Sequence, residues 1–246
     1  MTQFKHDTVT PYKSDEGKKN QVKSMFDGIA RSYDFLNHFL SLGSDILWRK
    51  IALNKIAQYH PQVILDVATG TGDLALEACK KFNPKEIIAL DIAEKMLEIG
   101  RKKTLKAGKS DVIQFVAGDS EDLQFEEGKF DSVMSSFGVR NFENLEKGIS
   151  EMYRVLRKGG VIMVLEFSRP RVFPIKQLYA IYFKYLLPLI GKLISKDQKA
   201  YHYLYESSSA FPCYEDFEAI LRKIGFHNTR YYALSFGICT VYIGEK

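Results

Sequence analysis

Asp66, Asp91 and Asp119 each close or follow an apolar, β-rich run, and two glycines, Gly70 and Gly72, come just after the first of them. Residues Val63 to Asp73 read Val-Ile-Leu-Asp-Val-Ala-Thr-Gly-Thr-Gly-Asp, and a helical pattern opens at Leu74-Ala75-Leu76. That is a strand, a tight turn and a helix N-terminus. Glycine there lets backbone approach a ligand where a Cβ would collide. Asp91 stands 19 residues beyond Gly72. At the end of a second strand, its carboxylate can accept both hydroxyls of a ribose. Asp119, followed by Ser120 after a third strand, can reach an adenine amino group. Asp66 can brace the glycine turn or approach an ammonium group. A lone acid at a strand end is usually a helix cap or solvated, but three at successive strand ends argue for one site. So many acids suit a cationic ligand better than a pyrophosphate, which favours amides and basic groups.

The elements that must hold these residues follow from pattern. Strands are expected at Val63–Val67, Glu86–Asp91, Val112–Val116, Phe130–Ser136 and Gly160–Phe167. Helices between them are expected at about Asp73–Lys81, Ala93–Leu105 and Leu145–Leu156. Alternation of this kind predicts an α/β fold with a doubly wound, mostly parallel, Rossmann-like sheet. Leu156-Arg157-Lys158-Gly159-Gly160 reads as a helix end, with basic residues in the last turn and glycine beyond. Tyr214–Ile224 is a last helix. Phe226–Leu234 and Ile238–Gly244, turning near Ser235-Phe236-Gly237, predict a C-terminal antiparallel hairpin. Ahead of the first strand, residues 1–20 read as a mobile arm, and residues 21–58 as a helical cap carrying Val22, Met25, Phe26 and Ile29 and then a helix over Ile46–Ile56.

A chain of 246 residues with 46% hydrophobic residues suits one domain, 1–246, with a full core and room for an insertion. The net charge of +5 is mild and does not demand nucleic acid. Cys79, Cys213 and Cys239 are scattered, without a C-x-x-C pair, which predicts a reducing cytoplasmic setting and neither zinc nor disulfides. No His/Cys/Asp/Glu spacing suggests a metal. Residues 1–20 hold no apolar signal core, and no apolar run approaches the ~20 residues that cross a bilayer.

With these motifs in view, the chain resembles the class I S-adenosylmethionine-dependent methyltransferases. More narrowly, it resembles the quinone C-methyltransferases of ubiquinone and menaquinone biosynthesis. The matching segments are Met25-Phe26-Asp27-Gly28-Ile29-Ala30-Arg31-Ser32-Tyr33-Asp34, Leu65–Asp73, Ser136-Phe137-Gly138-Val139-Arg140-Asn141, Met152–Gly160 and Leu165-Glu166-Phe167-Ser168. The resemblance spans roughly residues 21–246, and the Phe-Gly-x-Arg-Asn and Leu-Glu-Phe-Ser segments are far more specific than the glycine turn. Position by position, it implies cofactor contacts at Thr71, Asp91, Asp119, Ser120 and Ser136, beside the turn residues Asp66, Gly70 and Gly72. Many methyltransferases carry glycine where this chain has Ala68, which predicts a conventional, negative-φ turn at that residue.

The implied reaction is methylation of a prenylated quinol ring, demethylmenaquinol being favoured over a benzoquinol. It needs no enzyme nucleophile, because a hydroquinol that loses a hydroxyl proton pushes charge onto the ring carbon. The protein aligns the pair, excludes water and helps remove the proton. Arg140 can stabilise the oxyanion or orient a water, or instead pair with Glu143 or another surface acid. Asn141 can bind a ring oxygen. Tyr33 can join the proton relay, stack on the ring, or simply pack in the core. His38 and His202 are alternative bases without a visible partner, and Cys213 reads as structural. Two other functions use the same turn. One is an NAD-dependent oxidoreductase, for which no Tyr-x-x-x-Lys pair is evident. The other is a non-catalytic cofactor-binding module, which would be expected to lose the acids.

Residues 168–211 break the βα rhythm and read as a helical substrate lid. Between Arg169 and Lys199 lie seven basic residues, Lys184, Lys192 and Lys196 among them, against the single acid Asp197, together with five aromatics. Such a segment can rest on an anionic membrane surface, giving peripheral contact at the inner face of the cytoplasmic membrane. The alternative is a cap that packs on the core and forms a homodimer face.

Overall fold

The computed structural model describes residues 4–12, 14–181 and 198–246. Seven strands form one sheet: β1 Val63–Val67, β2 Glu86–Asp91, β3 Ile113–Ala117, β4 Phe130–Ser136, β5 Leu156–Phe167, β6 His227–Leu234 and β7 Cys239–Glu245. Their order is β3-β2-β1-β4-β5-β7-β6. The first five run parallel, and β7 pairs antiparallel with both β5 and β6. The helices are α1 Lys18–Leu40, α2 Ser44–Lys55, α3 Asp73–Phe82, α4 Glu94–Lys106, α5 Leu145–Val155, α6 Ile175–Ile181, α7 Gln198–Ala210 and α8 Glu215–Ile224.

Residues alternate between the two faces of each strand, so a run such as Val63-Ile64-Leu65, apolar at successive positions, calls for cover on both faces. Leu65 and Val67 pack with Met152 of α5 and Phe217 of α8. Ile64 packs on the other side with Trp48 and Leu53 of α2 and Leu74 of α3. The chain reverses its winding between β1 and β4, and in such sheets the crevice beyond the strands' C-terminal ends is the ligand site. Asp91 ends β2, and Gly70, Asp119 and Phe137 follow the ends of β1, β3 and β4.

Three expectations are corrected. Ala68 has φ +55°, in the left-handed region, not a conventional turn. The chain must swing out of β1 at once, because Thr69 N donates to Leu90 O at 2.9 Å and the Thr69 hydroxyl donates to Asp66 Oδ2 at 2.5 Å. The small methyl is accommodated beside Gly138, where a Cβ would stand 2.6 Å from that of Ala68. The basic segment after α5 is not a helix end: Leu156 is already extended and pairs with Phe130, so β5 begins there and Gly159, at φ +71°, lies inside it. Finally, α1 starts at Lys18, inside the expected arm, and the arm packs on the body. His6 is buried, and the Lys18 ammonium donates to its carbonyl at 2.8 Å.

Of the expected lid, Ser168–Ile181 and 198–211 are described, including α6 and α7. Lys184, Lys192 and Lys196 lie outside the described residues. No described helix is long and apolar enough to cross a membrane.

Candidate active site

Two cavities meet at the crevice and share two lining residues, Tyr33 and Phe137. Tyr33 comes from the middle of α1. Phe137 follows β4 directly, at φ +58°. Positive φ at a bulky residue is costly and is held by its surroundings. Here Phe137 N donates to Leu165 O at 2.7 Å, and the ring packs 4.6 Å from that of Phe167, centroid to centroid.

The first cavity encloses about 60 Å³ and is lined by Gly70, Asp91, Asp119, Ser120 and Asn141, with Lys19 and Phe26 of α1 over it. Asp91 Oδ2 accepts from Gly70 N at 2.8 Å and Oδ1 from Ala93 N at 2.9 Å. Burial pushes the Asp91 carboxyl up, and those backbone donors pull it down. Asp119 pairs with Lys19 at 2.5 Å. Gly70, at φ +58°, leaves open the space that a Cβ would fill between Met96 and Tyr33. The Oδ1 of Asn141 is buried without a partner. A carboxylate pair, a serine, an orphaned acceptor and a bare glycine fit a cationic nucleoside.

Four of the expected cofactor residues stand behind this cavity and do not line it. Asp66 is fully buried, and burial raises its carboxyl to about 7. The Thr71 hydroxyl donates to Asp34 Oδ1 at 2.5 Å, and Lys103 bridges Asp34 and Asp73. Gly72 backs onto Phe115, which a Cβ would approach to 2.7 Å. Ser136 ends β4, paired with Leu165.

The second cavity, about 380 Å³, is lined by Arg140, Arg49, Asp45, Trp48 and Phe167, with Leu42 and Leu178 toward the surface. Arg140 is 5% exposed and pairs with Glu166, not with Glu143: Nη1 to Oε1 is 2.8 Å. Burial raises the Glu166 carboxyl, and Arg140 opposes the rise. Tyr33's phenol is likewise raised by burial and lowered by the fields of Arg140 and Arg49. Arg140 and Asn141 are thus neighbours in sequence that face different cavities. His38, expected to lack a partner, has one: its Nδ1 lies 2.8 Å from Asp45 Oδ2. Cys213 is buried, as its structural reading expects. His202 is exposed, 3.3 Å from Glu206.

Sequence reasoning missed Asp45, Arg49 and Phe137 as site residues, and saw Glu166 only as part of a motif. Asp45 and Arg49 are spaced i, i+4, which on a helix reads as an ordinary surface pair.

Known proteins of similar sequence and fold are methyltransferases. At 46% identity, the chain aligns along 99% of its length with 99% of a demethylmenaquinone methyltransferase of Bacteroides fragilis. It is 42% identical to the enzyme of that name from Porphyromonas gingivalis, covering 97% of this chain and 98% of the other. A ubiquinone/menaquinone biosynthesis C-methyltransferase of Geotalea daltonii is 44% identical over 93% of this chain and 97% of its own. Among solved structures, a SAM-dependent methyltransferase of Thermotoga maritima shares the fold with TM-score 0.63 at 20% identity, covering 90% of this chain and 99% of that one. One from Aquifex aeolicus gives TM-score 0.54 at 15% identity, covering 78% and 88%. The profile of the ubiE/COQ5 methyltransferase family matches residues 14–246, and with a Rossmann-like sheet beneath its paired cavities, the chain is a methyltransferase that belongs to that family.

Proposed function

We propose that this chain methylates a ring carbon of a prenylated demethylmenaquinol, with S-adenosylmethionine as methyl donor. The observation that carries the reading is the junction of the two cavities at Tyr33 and Phe137. An acid-lined cavity and a larger one walled by aromatic rings and buried arginines have those two residues as their common wall. Relatives named for demethylmenaquinone favour the naphthoquinol over the benzoquinol ring. The oxidoreductase and non-catalytic alternatives are not favoured, since the named relatives are methyltransferases and the acids are present.

Asp91 would hold the ribose, with Asp119 and Ser120 at the base, and Gly70 would let the ligand lie against backbone. When bound, the cofactor supplies an electrophilic methyl group. The chain's residues do the rest. Arg140, fixed by Glu166, would stabilise the acceptor's oxyanion as the hydroxyl proton leaves, and charge develops on the ring carbon; once that carbon carries the methyl group, its own hydrogen leaves as a proton and returns the ring to its aromatic hydroquinol. Tyr33 packs along the ring and lends its hydroxyl to the proton's path. Asn141, on the cofactor side of the partition, uses its orphaned Oδ1 to position the reacting partners.

The acceptor's prenyl tail would leave between Leu42 and Leu178, which line the cavity and are 89% and 57% exposed. Residues 168–211 would act as a lid whose lysines touch anionic headgroups, so that the protein works peripherally at the membrane's inner face. A homodimer through the same apolar face is the competing use of that surface.

The test is an in vitro assay with labelled S-adenosylmethionine, offering prenylated demethylmenaquinol and the corresponding benzoquinol. A ring-methylated naphthoquinol, located by mass and position, is expected. Absence of carbon methylation on either ring overturns the reading, as does binding of NAD in preference to S-adenosylhomocysteine.

A further inference from the structure

We propose that Arg49 is a second substrate-binding cation, which holds the acceptor oxygen remote from Arg140 and makes the site selective for a ring bearing two oxygens para to one another. The inference rests on the quinol reading above and extends it to a residue outside the motifs that carry the family resemblance.

Arg49 lies on α2, is 5% exposed, and lines the acceptor cavity but not the cofactor cavity. A guanidinium carries five N–H donors. Among the described residues Arg49 uses one: Nη1 donates to Asp45 Oδ2 at 2.7 Å. Nη2 stands 3.8 Å from Asp73, beyond hydrogen-bond length, and Nε has no partner. Leaving buried donors of a charged group unused is expensive, and the neighbouring cavity is where an acceptor oxygen could use them.

The residue is also firmly aimed. Asp45, 3% exposed, receives the Ser41 hydroxyl at 2.7 Å and faces His38 Nδ1 at 2.8 Å besides Arg49. Burial pushes its carboxyl up, but those three groups hold it below the usual range, so it stays an anion behind the guanidinium. The arrangement repeats that of Arg140 on Glu166. The two cations flank the paired rings: Arg49 Cζ is 5.9 Å from the centroid of Phe137, and Arg140 Cζ is 5.5 Å from that of Phe167. Tyr33's phenol feels both positive fields. A hydroquinol bound against these rings would meet a cation at each oxygen.

Two probes separate this role from a structural one: a prenylated demethylmenaquinol, and 3-prenyl-1-naphthol, which keeps the hydroxyl next to the reacting carbon and lacks the remote one. Trp48, the chain's one tryptophan, lines the same cavity and reports binding by its fluorescence. With S-adenosylhomocysteine present, the parent should bind the diol at least about tenfold more tightly than the naphthol, the scale of a hydrogen bond to a charged group. Arg49→Gln should bring that ratio to near one by weakening the diol alone. Arg49→Lys, which can keep the pair with Asp45 should the glutamine variant fail to fold, should give an intermediate ratio. An unchanged ratio in the folded variants, or equal weakening of both probes, overturns the assignment of Arg49 while leaving methyl transfer intact. Failure of the parent to bind or methylate the diol overturns the quinol reading and this inference together.

Discussion

The guanidinium of Arg140 sits 2.8 Å from the carboxylate of Glu166, and neither side chain is more than 6% exposed. Removing one partner of such a pair strands a buried charge. Glu166→Ala should therefore cost about 3–5 kcal/mol of stability, read from denaturant midpoints. Arg140→Ala should lower turnover while affinity for S-adenosylhomocysteine stays nearly intact. Wild-type turnover in the Arg140 variant would remove it from the reaction.

Asp91 has two tasks, bracing Gly70 N and Ala93 N while facing the cavity. Asp91→Ala should weaken binding of S-adenosylhomocysteine by ~1.5–3 kcal/mol, the range for hydrogen bonds to a charged group. Titration calorimetry on the folded variant is the check. Unchanged affinity would leave the side chain a brace alone.

Ala68 holds a conformation that costs a residue with a Cβ roughly 1–2 kcal/mol, and glycine forfeits part of that through its freer unfolded chain. Ala68→Gly should raise stability by about 0.5–1 kcal/mol, and Gly138→Ala should lower it, since the new methyl would meet that of Ala68. Thermal melts of the two variants should move in opposite directions.

Asp66 makes stability depend on pH. Its folded pKa of about 7 lies above the ordinary 3.8, so between those values the native state holds more protons than the unfolded chain. Its contribution is fully present below the unfolded value and is lost as pH rises through about 4 to 7. Asp66→Asn keeps an oxygen for the Thr69 hydroxyl and cannot ionise. The melting temperature of the variant relative to the parent should rise across that window. A constant difference from pH 4 to 8 would contradict the shift.

For the membrane reading, the parent should bind anionic vesicles weakly and lose them in salt, because exposed charges are screened within ~8 Å at physiological ionic strength. Reversing Lys184, Lys192 and Lys196 to glutamate should reduce vesicle binding, and should reduce activity on long-tailed acceptors more than on short-tailed ones. Leu42→Asp, on the described rim, should act the same way. Equal losses on both acceptors, or no vesicle binding at low salt, would leave the packing or dimer role.

What could be read from the sequence follows burial. The bounds of β1, β2 and β4 were legible to the residue, because each is a short β-prone stretch rich in apolar residues and set off by turn residues or a polar end. Asp91, Asp119 and Ser120 were legible because strand ends of this fold share a crevice. Local pattern failed where distant neighbours decide. Ala68 takes positive φ because Gly138 makes room for it, and Leu156 leaves the helix to pair with Phe130. Arg140 lies 26 residues from Glu166 in sequence, so Glu143, closer along the chain, was the natural guess. Thr71 was expected at the cofactor, yet its hydroxyl is engaged by Asp34, an α1 residue that only the tertiary fold brings near.

One helix walls both cavities. Lys19, Val22 and Phe26 of α1 narrow the first to about 60 Å³, while Tyr33 and Asn37 line the second. Small-molecule pockets usually run from ~300 Å³ upward, so a nucleoside entering beside Asp119 would have to displace α1 side chains, the Lys19–Asp119 pair among them. A displacement of this rod reshapes the acceptor wall as well. A ligand that shifted α1 at one cavity would therefore couple the two sites, and whatever factor it changed in the affinity of the second ligand, the second would return to the first.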